Sequence, residues 1–330
     1  MKLNWKYLAI GAAALLLIAL VILAVILGRG GEESGPKVVG VFMNNDQTEQ
    51  EKKTATLLTE QLEQNGFAVK LYNAQDDQSR QNQQVAEFLQ QDCEALLLCP
   101  VMPDSTAELL LQAKEKNVPI LFFGREPAKE ILDQWEKTAY VGCDPAQTGK
   151  LQGQILLAQP QKCDVNGDGS ISYILLRDSE ECADTDLRAT GAVETLKAEM
   201  AVAELSNTCP GDSKDAARAL CENLLANYGK DIEAVICTND TLALGALEAI
   251  EDGGRTVGAD IHLVGIGGLE KTLDQIKEGK ICGTIMCDVE AQAQKLVELT
   301  QTLTQQNPEQ KEYYVNHIVI TEENIESYIK

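Results

Sequence analysis

The amino-acid sequence predicts an exported α/β protein of two lobes, each built on a doubly wound parallel sheet, joined by a hinge and preceded by one transmembrane helix. Three observations carry this reading. The N-terminus holds an apolar run long enough to span a bilayer. Short apolar runs then alternate with amphipathic stretches. There are more such runs than one compact sheet of this kind accommodates.

The N-terminal run extends uninterrupted from Tyr7 to Leu27, behind Lys2 and Lys6. At about 1.5 Å per residue it spans roughly 30 Å, the thickness of a bilayer core. A signal-peptide core is about 7–15 residues, and a small-residue cleavage pattern should come after it. Here the run is succeeded by Gly28, Arg29, Gly30 and Gly31, and no cysteine offers a lipid-attachment site. The expectation is an uncleaved anchor over residues 1–30, with a long cleaved signal as the alternative; both export the rest of the chain. Lys2 and Lys6 place the short N-terminus in the cytoplasm and the remainder outside. Residues 31–36 read as a short linker.

The alternation begins at Val38. Apolar runs fall at Val38–Met43, Val69–Tyr72, Ala95–Cys99, Ile120–Phe123, Ala139–Gly142, Ile171–Leu176, Ala203–Leu205, Ala234–Cys237, His262–Ile266, Thr284–Met286 and His317–Ile320. Runs this short and this apolar match strands buried on both faces. Ala55, Leu58 and Leu62, and later Leu109, Leu110 and Ala113, recur at helical spacing, and Asp104, Asp184, Asp212 and Asp240 stand where helix N-caps belong. Repeated βαβ units imply parallel sheets with ligands at the carboxyl ends of the strands. That rule points to Asn44–Thr48, Cys99–Pro103, Asp178–Arg188, Asn239–Asp240, Gly267–Gly268 and Cys287–Asp288.

Composition narrows the function. The 330 residues carry a net charge of −23, which disfavours nucleic acid and anionic membrane surfaces. No nucleophile elbow, Walker loop or G-x-G-x-x-G is present, so no enzyme activity is expected. Ten cysteines all lie beyond the apolar run, in spacings that form no disulfide framework. Free thiols and bridges both remain open.

The sharpest motif is Asp164-Val165-Asn166-Gly167-Asp168-Gly169-Ser170-Ile171-Ser172, the first half of an EF-hand calcium loop. Calcium takes six to eight oxygens. Asp164, Asn166 and Asp168 can converge on one ion because Gly169 allows a sharp turn; Ser170 offers its carbonyl, and Ser172 a hydroxyl or a water. The position that should carry the closing glutamate is Leu175, inside a strand-like run, so a further ligand must come from elsewhere.

Several stretches together resemble the type I periplasmic binding proteins for sugars, and within them the galactose/glucose-binding proteins. They are Asp77–Asn82, Asn117–Phe123, Tyr140–Asp144, the calcium loop, Asp184–Arg188 and Glu233–Asp240, and the likeness covers about residues 37–330. The resemblance implies that residues 37–143 with 288–314 form an N-terminal lobe and residues 144–287 with 315–330 a C-terminal lobe. It implies that Glu233 completes the calcium site of Asp164, Asn166, Asp168, Ser170 and Ser172. It further implies a cleft in which Asp184, Arg188 and Asn239 bind a sugar. This chain departs from the family at Cys99, Cys182, Gly267 and Cys287, where polar ligand groups are expected. It also departs at Gln50 and at Pro210 or Gly211, where aromatic rings stack on the sugar. Three departures are cysteines: small neutral fillers, a soft-metal or thiol-reactive cluster, or a bridge from Cys182 to Cys99 or Cys287. The implied function is an anchored, monomeric solute receptor for an ABC permease, with Ca2+ as structural cofactor. The alternative is a tethered sensor or scaffold with a degenerate sugar pocket, acting through a partner membrane protein.

Overall fold

The computed structural model describes residues 37–46, 49–180, 182–303 and 306–329. The expected anchor at Tyr7–Leu27 lies outside the described residues, and among those described no helix is long and apolar enough to cross a membrane. Val38–Lys330 forms one unit.

The chain first winds through β1 (Lys37–Met43), α1 (Glu49–Gln64), β2 (Phe67–Asn73), α2 (Gln78–Phe88), β3 (Ala95–Leu98), α3 (Ala107–Glu115), β4 (Ile120–Phe123), α4 (Lys129–Leu132) and β5 (Thr138–Gly142). It then builds α5 (Pro145–Leu157), β6 (Ser170–Leu176), α6 (Ala183–Lys197), β7 (Ala201–Thr208), α7 (Lys214–Tyr228), β8 (Ala234–Cys237), α8 (Asp240–Asp252), β9 (His262–Val264), α9 (Glu270–Lys277) and β10 (Thr284–Cys287). The last elements are α10 (Val289–Leu303), β11 (Glu312–Tyr314) and β12 (His317–Ile320).

Two sheets result. The first runs β2-β1-β3-β4-β5-β11, with parallel registers from β1 to β3, β4, β5 and β11. The second runs β7-β6-β8-β9, again parallel. An antiparallel β10-β12 ribbon extends it through the Val264–Gly283 bridge and the hydrogen bond from Gly267 to Ile285. The chain therefore crosses between sheets three times: after β5, after β10 and between β11 and β12.

Burial explains why the apolar runs are legible. In β3, Ala95–Leu98 is buried at every position, because helices cover both faces of a parallel sheet. Leu97 joins Val39, Val41 and Leu121 on one face; Leu96 and Leu98 join Phe42, Ile120 and Phe122 on the other. Each such leucine contributes about 1.5–3 kcal/mol, so an acidic residue at Leu97 would break the sheet at its centre.

The sequence misplaces two kinds of detail. It carries no signal for strand β11, whose side chains are half-buried or, at Tyr314, exposed at the sheet edge, so Glu312-Tyr313-Tyr314 shows no apolar run. The four aspartates expected as N-caps are each displaced. Asp104 sits inside a short 3-10 turn, and Asp184 is inside α6, capped by Cys182. Asp212 precedes the true cap Ser213, and Asp240 comes after the true cap Asn239. Asn239 Oδ1 accepts from the Leu242 N–H at 2.9 Å, which releases the neighbouring aspartate for other work.

Candidate functional site

The carboxyl ends of both sheets face one cleft of about 420 Å3. From the first sheet, β1 delivers Asn44, β3 delivers Cys99, β4 delivers Arg125 and β5 delivers Cys143. From the second, β6 delivers Asp178, β7 leads to Asp212, β8 delivers Asn239 and Asp240, and β10 ends in Cys287. Strand ends converge here because the hydrogen-bonded ladder stops and side chains turn outward to a crevice that backbone alone cannot fill.

Two arginines and their carboxylates organise the cleft. Arg188 binds Asp184 at 2.7 Å, one helical turn apart on α6. Asp184 is buried and outside the cleft lining, which Arg188 joins. Among the described residues the buried Arg188 Nε has no hydrogen-bond partner. Arg125 lies just beyond β4; it donates to the Val101 carbonyl at 2.8 Å and reaches across the cleft to Asp178 at 3.4 Å. Asp178 also accepts from the Thr185 and Thr238 hydroxyls, each at 2.8 Å. Burial raises the Asp178 carboxyl, but Arg125, Arg188 and the two hydroxyls outweigh it and leave it below the usual range. Burial lifts Asp184 above that range despite Arg188.

Asn239 lines the cleft and donates from Nδ2 to Asp212 at 2.9 Å. Asp240 is fully buried; it accepts from the Thr284 hydroxyl at 2.8 Å and the Leu269 N–H at 2.9 Å, and burial pushes it up to about 6. Cys99 Sγ donates to Asn44 Oδ1 at 3.2 Å, and burial pushes that thiol to about 12, so it is a neutral wall. Gln50 and Gly267 line the cleft; among the lining side chains described the one phenylalanine, tyrosine or tryptophan ring is Phe123. Cys182 does not bridge Cys99 or Cys287: all ten cysteines are free. Sequence reasoning missed Arg125, Asp212, Cys143 and His317. Their signal is positional, because each lies a few residues past a strand or beside a crossing.

The loop at Asp164–Ser172 leads into β6, and buried Glu233 reaches it from the start of β8. Glu233 accepts from the Asn166 N–H and the Ser172 N–H, both at 2.9 Å. Asp164 accepts from Gly167 at 2.8 Å, Asp168 at 3.1 Å and Gly169 at 2.9 Å. Gly167 and Gly169 take positive φ, as the turn demands. Asp164, Asp168 and Glu233 make no ion pair with a lysine or arginine among the described residues, so the donor set suits a hard cation. Their oxygens here turn to backbone N–H groups; among the described residues no three acidic, thiol or imidazole groups converge as metal ligands.

The family model described as a periplasmic binding protein domain matches residues 35–308. The chain belongs to the periplasmic binding protein family. This periplasmic binding protein is 30% identical over 245 residues to the D-galactose/methyl-galactoside binding periplasmic protein of Haemophilus influenzae, covering 73% of each chain. In fold it is similar to an ABC transporter periplasmic solute binding protein from Actinobacillus succinogenes with bound D-allose. That likeness has a TM-score of 0.77 at 18% identity and covers 88% of this chain and 100% of that one. It is also similar to an ABC transporter solute binding protein from Bacillus halodurans with bound myo-inositol. There the TM-score is 0.73 at 24% identity, covering 90% and 98%. Family membership makes this a binding protein and not an enzyme, with an extracytoplasmic domain.

Proposed function

We propose that this periplasmic binding protein is a membrane-anchored receptor that takes a monosaccharide or a similar polyhydroxylated solute into the interlobe cleft for an ABC permease. The observation that carries this reading is the pairing of Arg125 with Asp178 and of Arg188 with Asp184, where converging strand ends and the first turn of α6 frame a cleft sized for a small solute. Hydroxyl groups donate and accept at once, so they suit a lining that alternates guanidinium, carboxylate and amide. The Arg188 guanidinium supplies donors, and the Asn44, Asp178 and Asn239 side chains supply acceptors and donors. The relative from Haemophilus influenzae and the allose-bound and inositol-bound folds support a sugar or polyol class. Anchoring rests on the Tyr7–Leu27 run, and a monomer is expected.

The reading includes a structural calcium at the loop. Asp164, Asn166, Asp168 and Glu233 would hold it by side-chain oxygens, with the Ser170 carbonyl and Ser172 contributing. The ion would supply charge that these unpaired carboxylates lack.

The test is calorimetric titration of the full chain with a panel of monosaccharides and polyols, repeated on Arg188→Ala. One saturable ligand, lost in the variant, is expected. No binding by any of them would leave the tethered sensor or scaffold, for which the departures at Cys99, Gly267 and Cys287 would have ended solute binding.

A further inference from the structure

Two of the cleft-lining thiols, Cys143 and Cys287, stand beside the third crossing. Each sits where the chain leaves one sheet for the other: Cys143 just after β5, Cys287 at the end of β10. Cys287 stands opposite His317 in the β10–β12 register, and the neighbouring Asp288 N–H donates to the Asn316 carbonyl at 3.1 Å. The third crossing supplies the rest of the surroundings. Neutral Cys143 donates to the Asn316 carbonyl at 3.4 Å and the Val315 carbonyl at 3.8 Å. His317 stands against the same sulfur, with its Nε2 2.8 Å from Thr148 Oγ1 and 3.1 Å from the Asp144 carbonyl. Both cysteines are only half-buried, unlike Cys99, Cys221 and Cys237.

We propose that Cys143 and Cys287 form a redox-active dithiol that reacts with small-molecule disulfides entering the cleft and closes into a Cys143–Cys287 bond.

The surroundings assign the roles. The Cys287 S–H and the His317 ring stabilise negative charge on Cys143, and Arg188 adds to it, so that thiol lies well below the ordinary range. Cys287 lies well above it, because the Cys143 contact, its own burial and Asp288 all disfavour its charge. The thiolate is the nucleophile in exchange, so Cys143 attacks and Cys287 resolves. In the first step the Cys143 thiolate displaces one thiolate from the small disulfide and forms a mixed disulfide. In the second, Cys287 attacks the Cys143 sulfur, its proton leaves with the second small thiol, and the protein disulfide remains. The two protein thiols are oxidised and one small disulfide is reduced to two thiols. Bringing the two sulfurs to the S–S bond length of about 2.05 Å needs side-chain rotation and an approach of the two crossings. The product staples two of the three crossings on which the lobes bend.

The experiment equilibrates the full chain with mixtures of reduced and oxidised glutathione, quenches with acid, and maps disulfides by mass spectrometry. The expected result is one bond per chain, Cys143–Cys287, reversed by dithiothreitol. Cys287→Ser should accumulate a glutathione adduct on Cys143, Cys143→Ser should form neither product, and Cys93→Ser should behave as the parent chain. As a check that needs no variant, brief alkylation of the parent chain at mildly acidic pH should label Cys143 ahead of the other cysteines. A bond elsewhere, no bond at any ratio, or alkylation spread evenly over the thiols overturns the proposal.

Discussion

Replacing Glu233 by alanine tests the calcium loop most directly. The side chain is fully buried, and its two oxygens hold the Asn166 and Ser172 N–H groups that tie the loop to β6. Without metal, the substitution strips a charged acceptor from two part-buried donors, which costs about 2–4 kcal/mol. With metal, the closing ligand is lost as well. Calcium at 100 times its dissociation constant stabilises the folded state by about 2.7 kcal/mol. In a domain of this size that raises Tm by about 4–5 °C. The assay is thermal unfolding of the full chain in chelator and in saturating calcium. The parent chain should show the full calcium shift. Glu233→Ala should melt lower in chelator and show almost none, and Glu233→Gln, which keeps one carbonyl acceptor, should recover part of the chelator loss. A parent chain with the same Tm in both conditions refutes the metal. An undiminished shift in Glu233→Ala refutes the role of this residue.

The cleft suggests further perturbations. Asp184→Asn leaves half-buried Arg188 without its charge partner and should cost about 1.5–3 kcal/mol by denaturant unfolding, along with ligand affinity. Asn239→Ala removes the α8 cap and the Asp212 contact and should cost about 1 kcal/mol in the same assay. Asp240 binds its proton more tightly folded than unfolded, so the stability it contributes is complete below pH 3.8 and is lost as pH rises through about 6. The stability of the parent chain relative to Asp240→Asn should therefore fall by roughly 2–3 kcal/mol across that window. A flat difference would show that the carboxyl titrates normally. Intact-mass analysis of membrane-extracted chain should find residues 1–30 attached.

Much of the fold can be read from one-dimensional pattern because buried parallel strands are apolar at every position, as Ile120–Phe123 and Ala234–Cys237 are. Edge strand β11 shows why this stops: half-buried residues carry no such run. The site is legible where a motif fixes backbone geometry, as at Asp164–Gly169, or where two residues share a helix face, as Asp184 and Arg188 do. It is illegible where partners come from different elements. Nothing local joins Arg125 to Asp178, or Cys143 to Cys287 and His317; the sheet topology alone makes them neighbours.

The reach of Arg125 over the cleft to Asp178 has a consequence for traffic. It links strand ends of the two sheets directly, and its partly sheltered position weakens the screening that water would give. Such a latch raises the resting share of receptors already shut. A solute that can replace the pair finds part of the work of shutting done, and so binds more tightly. The same latch narrows the entrance and slows capture. On the proposed reading, a permease that judged its receptor by closure alone would also meet empty ones, so recognition of a loaded receptor would need a further mark beyond the position of the lobes.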